Sequence, residues 1–210
     1  MTRRFRKKVF EPREGYDLYA PHYRKDHNHL DSFDWTLCRN LLQSLVEGKD
    51  PLSISTLDLG CGDGRTFSRL AKILPSITGI DLSGQMLSLL KTKNPEARLV
   101  QADCLFLPFR PGSFDLCLAF FLLVHIVDPE PFFKEIFQVL KSGGHLVLNN
   151  IPQHSPPVLE GSGEKFIIRS HYHSDREVLR TAEENGFELV SEEKSVQGGV
   201  SVSTVFVWKK

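Results

Sequence analysis

The chain has no two cysteines spaced to clasp a metal. Cys38, Cys61, Cys104 and Cys117 are scattered without a CxxC pair, which argues against a zinc site or a disulfide framework and points to a reduced, intracellular setting. Nor is there an excess of either charge: Lys plus Arg and Asp plus Glu number 26 each, so the chain as a whole makes no electrostatic case for nucleic acid or an anionic bilayer. The local exception is a basic start, Arg3, Arg4, Arg6, Lys7 and Lys8, read as a solvated tail that also keeps tRNA open as a partner. No apolar h-region follows it, so no signal peptide is expected. The longest apolar run, Phe114 to Val127, is broken by Asp115 and His125 and falls short of the roughly 20 residues a membrane helix needs. A cytoplasmic protein with no membrane partner is the expectation. Oligomeric state is not readable.

What is present is centred on Leu57-Asp58-Leu59-Gly60-Cys61-Gly62-Asp63-Gly64-Arg65. Upstream, Ile54 to Leu59 has the character of a buried strand; downstream, Phe67, Leu70, Ala71 and Leu74 fall at helical spacing. Glycines between strand and helix let the backbone take positive φ and let a ligand approach without meeting a Cβ, and the helix start offers free N–H groups. A P-loop would need Gly-Lys-Ser/Thr, which is missing. A dinucleotide fingerprint would need its third glycine one residue later, where Arg65 stands.

Asp58, Gly60, Gly62 and Gly64, in the order acidic-x-Gly-x-Gly-x-Gly, resemble motif I of the class I S-adenosylmethionine (SAM) dependent methyltransferases. Further segments strengthen the resemblance. Asp81, at the tip of a second strand over residues 76–80 and 21 residues after Gly60, is placed to accept hydrogen bonds from ribose hydroxyls. Asp103 and Cys104 match the family position where a carboxylate meets the adenine amine and the next N–H meets a ring nitrogen. Leu107-Pro108-Phe109 and Ser113-Phe114-Asp115 match two further family blocks. Tyr16 to Tyr23 resembles the aromatic segment that folds over the cofactor in many small-molecule methyltransferases, with Arg24 where relatives carry Asp.

The resemblance implies a doubly wound, Rossmann-like α/β fold: seven strands in the order 3-2-1-4-5-7-6, strand 7 antiparallel. The expected division is a basic, flexible 1–15 and a single domain over 16–210, with 16–50 an arm and helix and 151–173 a substrate or lid loop. The implied cofactor is SAM, held by Tyr23, Asp58, Gly60, Gly62, Gly64, Asp81, Leu82, Asp103, Cys104 and Phe120. The implied reaction is in-line methyl transfer to a small-molecule acceptor, with tRNA as an alternative acceptor and a SAM-binding protein without transferase activity as another reading. A nicotinamide-dependent oxidoreductase shares the fold type but not the glycine spacing. If a base is used, His125 at the edge of the fourth strand ranks first, then His171 or His173, then Tyr19; a structural, hydrogen-bonded histidine is the competing reading of His125. No metal is expected.

Local signals place the remaining elements. A helix is expected from Asp31 or Ser32 to Val46, another from Gly64 to Leu74, and one capped by Ser83. Strands are expected at residues 98–100 and 114–120. A helix follows Asp128-Pro129, with a turn at Lys141-Ser142-Gly143-Gly144 into a strand over 145–149. Ser174-Asp175-Arg176-Glu177 is a capping box, and Gln197-Gly198-Gly199 signals a closing hairpin.

Overall fold

The computed structural model describes residues 8–26, 35–161, 163–197 and 200–210. Asp31 to Phe33, Arg3 to Lys7 and the Gly198-Gly199 turn therefore lie outside the described residues, and so does the side chain of Arg24. The elements run β1 (Lys8–Phe10), α1 (Pro12–Asp26), α2 (Trp35–Val46), β2 (Thr56–Leu59), α3 (Phe67–Leu70), β3 (Ile77–Asp81), α4 (Gly84–Lys93), β4 (Arg98–Gln101), β5 (Phe114–Ala119), α5 (Pro129–Val139), β6 (Leu140–Asn150), β7 (Leu159–Gly161), β8 (Glu164–Ile168), α6 (Asp175–Glu184), β9 (Glu188–Gln197) and β10 (Val200–Lys209).

Seven strands form one sheet in the order β4-β3-β2-β5-β6-β10-β9, which is the expected 3-2-1-4-5-7-6. β10 runs antiparallel to both neighbours. Alternation along the central strands assigns each face. Leu116 and Leu118 of β5 point with Val147, Val205 and Val207 into the layer that holds α2, α3 and α4. Cys117 and Ala119 point with Leu146, Leu148, Phe206 and Trp208 into the layer of α5 and α6. Strands covered on both faces have no polar side to expose, which is why they read as nearly continuous apolar runs.

Caps fix the helix starts. Ser83 accepts from the Met86 N–H at 3.1 Å, and Asp128 accepts from the Glu130 N–H at 3.0 Å with Pro129 at the first helical position. The Ser174 hydroxyl accepts from the Glu177 N–H at 3.2 Å. Each supplies an acceptor to a helix-end N–H that has no partner inside its helix.

Four expectations are corrected. The helix after the glycine turn is a single short piece, Phe67–Leu70, flanked by turns. The glycines at 143 and 144 lie inside β6, where the pairing with β5 shifts register between Phe114 and Leu116. Tyr16 to Tyr23, for which no helix is expected above, belongs to the helix α1. Residues 8–10, read as part of a flexible tail, pair in parallel with residues 166–168.

That pairing creates a second, three-stranded sheet, β1-β8-β7, in which the stretch expected to be loop at 151–173 contributes a hairpin. Tyr19, Phe166 and Ile168 form its small core, with Phe10, Tyr16 and Tyr23 packed around them. The two chain segments expected to flank the site thus meet each other over one end of the large sheet.

Candidate active site

The glycine turn leaves β2 at the carboxyl edge of the sheet. Gly60 and Gly62 take φ of 68° and 54°, in the left-handed region that a side chain disfavours. A Cβ on Gly62 would meet nothing nearer than the Met86 methyl, 3.4 Å away, and one on Gly60 would press on Leu122 at 3.0 Å. The turn is locked from the next strand: the Gly62 N–H donates to one Asp81 carboxylate oxygen at 2.9 Å, and the Ser83 N–H donates to the other at 2.8 Å.

A cavity of about 310 Å³ opens on this turn. Tyr23, Asp58, Gly60, Gly62, Asp81, Leu82, Asp103, Cys104, Phe120 and His125 all line it. Gly64 does not. Its φ of 83° serves the turn itself, and its Cα faces Leu90 of α4. His171 and His173 line neither this cavity nor the neighbouring one. His173 is buried, with Nε2 donating to the Ile126 carbonyl at 2.8 Å, which is a structural arrangement.

Two buried polar atoms at the cavity make no hydrogen bond among the described residues: Asp58 Oδ2 and Arg65 Nη1. Buried polar atoms without a hydrogen bond are costly, so a pair at one cavity calls for a ligand. Burial, reinforced by nearby Asp81, pushes the Asp58 carboxyl up to about 8. Burial also raises Asp81, against the two backbone N–H groups that favour its charge. Arg65 lies 4.6 Å over the Phe121 ring and 6.0 Å from the Tyr23 ring centroid, and this aromatic slot holds the guanidinium at the cavity wall. Phe121 has a φ of 59°, which is uncommon for a residue with a side chain. Its N–H donates to Asn149 Oδ1 at 2.6 Å, an anchor that holds the strained backbone in place.

The roof comes from the arm. Glu11, Pro12, Arg13 and Tyr16 line the cavity from that side. Asp17 of α1 accepts from the Ser83 hydroxyl at 2.5 Å and from the Gln85 N–H at 3.2 Å, so the arm clamps the start of α4. Sequence reasoning missed Tyr16, Arg65 and Phe121 as site residues. Arg65 was noticed only as a departure from a glycine pattern.

A second chamber of about 90 Å³ adjoins the first. The two share Tyr16, Tyr23, Arg65, Phe121 and His125. The rest of its wall is mostly apolar: Tyr19, Val124, Ile151, Pro157, Leu159 and Ile168, with Gln153. Between the chambers, Tyr16 Oη and His125 Nε2 are 2.8 Å apart.

These residues fit a sulfonium nucleoside carrying an amino-acid end. The unpartnered carboxylate and guanidinium are matched in sign to an ammonium and a carboxylate, and the glycine cradle admits a chain beside them. Comparison with known proteins points to the same chemistry. Residues 57–148 match the family model described as a methyltransferase domain. That segment of the chain is therefore similar to methyltransferase domains, and the residues at the cavity fit SAM as a cofactor.

A demethylmenaquinone methyltransferase of Lactococcus lactis is 34% identical over 56% of this chain and 50% of its own length. An uncharacterised protein of Methanocaldococcus jannaschii is 26% identical over 85% of this chain and 76% of its own length. The chain thus spans about half the length of that quinone enzyme. A SAM-dependent methyltransferase structure from Mesorhizobium loti shares the fold, with a TM-score of 0.66 at 20% identity over 84% of this chain and 97% of the other. The magnesium protoporphyrin IX methyltransferase of Synechocystis, solved with bound SAM, does so with a TM-score of 0.67 at 15% identity over 90% and 84%. Among the described residues no helix is long and apolar enough to cross a membrane, and no group of three His, Cys, Asp or Glu side chains could hold a metal ion.

Proposed function

We propose that this chain is a class I SAM-dependent methyltransferase acting on a small, largely apolar acceptor seated in the second chamber, and that the larger cavity takes SAM. The supporting observation is the junction: a mostly apolar chamber shares five wall residues with a cavity on which Asp58 and Arg65 each carry a buried polar atom without a hydrogen bond. Relatives named as quinone methyltransferases point to the same acceptor class.

In this reading Asp58 and Arg65 hold the ammonium and carboxylate of the methionine end, with Gly60 and Gly62 as the cradle. Asp81 accepts from the ribose hydroxyls, using the lone pairs left over from its two backbone bonds. Asp103 and the Cys104 N–H meet the adenine edge, while Leu82 and Phe120 supply apolar walls and Tyr23 covers the cofactor. When bound, SAM supplies an already activated methyl group. The protein's part is to align the acceptor in line with that methyl and to exclude water. The arm and the 151–173 segment do the latter together, since α1 lines both chambers and β7 and β8 line the second.

Calorimetric titration with S-adenosylhomocysteine tests the cofactor half. Micromolar binding, about −8 kcal/mol, should weaken at least roughly tenfold in Asp81→Ala, whose lost carboxylate serves both loop and ribose. Folded wild-type protein that fails to bind would end this reading.

A further inference from the structure

The geometry points to Tyr16 as a catalytic residue that relays a proton from a phenol-class acceptor hydroxyl to His125, an inference that rests on the methyl-transfer reading above.

The hydrogen bonds of His125 fix its tautomer. Nδ1 lies 3.1 Å from the Arg169 carbonyl oxygen, which can only accept, so Nδ1 carries the proton. Nε2 is therefore bare and accepts from the Tyr16 hydroxyl at 2.8 Å. With its own proton committed to Nε2, Tyr16 Oη has lone pairs left and needs a donor. Tyr16 and His125 both line both chambers, so the donor that completes them is a group on the acceptor.

The surroundings narrow that group. Rings of Tyr16, Tyr19, Tyr23 and Phe121 with the side chains of Leu159 and Ile168 make a slot suited to an aromatic ring. A neutral phenol is a poor nucleophile until its proton leaves, whereas a carboxylate arrives already ionised and has no hydrogen to give Tyr16. Burial lowers the basicity of His125, with His171 adding to the effect, so the imidazole is neutral near pH 7 and free to accept. Burial pushes the Tyr16 phenol well up, so Tyr16 does not ionise by itself. It can only pass a proton on.

The step balances. The acceptor oxygen bonds to the methyl carbon as that carbon parts from sulfur, which keeps the electron pair. The oxygen's proton moves to Tyr16 Oη while the proton of Tyr16 moves to His125 Nε2, leaving an imidazolium that later returns its proton to solvent. Both supports of His125 depend on the arm. Tyr16 sits on α1, and the Arg169 carbonyl is placed by its own N–H, which donates to the Phe10 carbonyl at 2.9 Å.

The test uses simple phenols of graded acidity, from phenol to 4-nitrophenol, with SAM at pH 8 and homocysteine-product formation as the readout. Wild type, Tyr16→Phe and His125→Gln are compared, each first shown to bind S-adenosylhomocysteine within about threefold of wild type. Both variants should lose roughly 100-fold or more on phenol but less than about tenfold on 4-nitrophenol, which is already ionised. Equal loss across the series, no loss in Tyr16→Phe, or no phenol turned over by a wild type that binds S-adenosylhomocysteine would each overturn the inference without touching the cofactor reading. Absence of S-adenosylhomocysteine binding would instead remove the reading beneath it. A second readout needs no turnover. In protein carrying nitrogen-15 in its imidazoles, His125 should be neutral with the proton on Nδ1, and its Nε2 resonance should move to that of an unbonded nitrogen in Tyr16→Phe. An unmoved resonance would show that the Tyr16 bond is not made.

Discussion

Asp58 should make cofactor binding a proton-releasing event. Its carboxyl is buried, with Oδ2 unpartnered, and burial with the nearby Asp81 charge sets its pKa at about 8. At pH 7 roughly nine-tenths of the free protein therefore carries the proton there. An ammonium brought beside Oδ2 favours the carboxylate and expels that proton. Affinity for S-adenosylhomocysteine should then rise about tenfold per pH unit well below 8 and level off above it. Between pH 6 and pH 8 the gain is roughly 50-fold, or about 2.3 kcal/mol. Titration calorimetry at pH 7 in two buffers of different ionisation enthalpy should report roughly 0.9 proton released per ligand bound.

Asp58→Asn keeps the shape and cannot titrate, so it should show a flat profile, no proton release and weaker binding at pH 8. Stability supplies the control. A carboxyl whose folded pKa lies above its unfolded one holds its proton more tightly in the folded state, so its contribution is fullest below about pH 4 and is lost as pH rises towards 8. The loss is at most about 6 kcal/mol. Asp58→Asn avoids it and should melt higher than wild type at pH 8, with the gap closing in acid. A wild type whose affinity is flat from pH 6 to 8 with no proton release would refute the assignment of Asp58 to the ammonium.

Arg65→Met keeps the apolar stem between Tyr23 and Phe121 but removes the unpartnered guanidinium. S-adenosylhomocysteine binding should fall by about 1.5–3 kcal/mol, while methylthioadenosine, which has no amino-acid end, should bind both proteins alike. Gly64→Ala places a Cβ at a φ of 83° and against Leu90 Cδ1, and should cost roughly 2–4 kcal/mol of stability in denaturant unfolding. Leu90→Val should recover part of that loss when combined with it.

The sheet and the floor of the cavity were legible because their signals are local. A buried run, glycines that must take positive φ and an acidic residue at the next strand tip are each written within a few residues. The arm was legible only in hindsight. Tyr16, Tyr19, Ala20 and Tyr23 fall at i, i+3, i+4 and i+7, but Pro21 inside the helix and the polar residues between them masked the period. The pairing of β1 with β8 joins segments 158 residues apart, as in Lys8 with Phe166, and no local pattern encodes a parallel partner at that distance. Arg65 and Phe121 share that difficulty: each becomes a site residue only through the other.

Topology explains why the unpartnered charges gather where they do. β2 has β3 on one side and β5 on the other, and the chain crosses over to opposite faces from this point, which leaves a crevice at the carboxyl ends of the strands. A side chain at that edge, such as Asp58, has its backbone satisfied by both neighbouring strands and nothing of the sheet in front of it. The arm then turns the crevice into a chamber. One run of hydrogen bonds joins roof to floor: Asp17 accepts from the Ser83 hydroxyl, the Ser83 N–H donates to Asp81, and Asp81 accepts from the Gly62 N–H. Because the same arm carries Tyr16 to His125, the contact that holds the roof over the cofactor also brings the acceptor side of the site together. The residues proposed to hold SAM and those proposed to move the acceptor's proton therefore share one structural condition, the docking of α1 on α4.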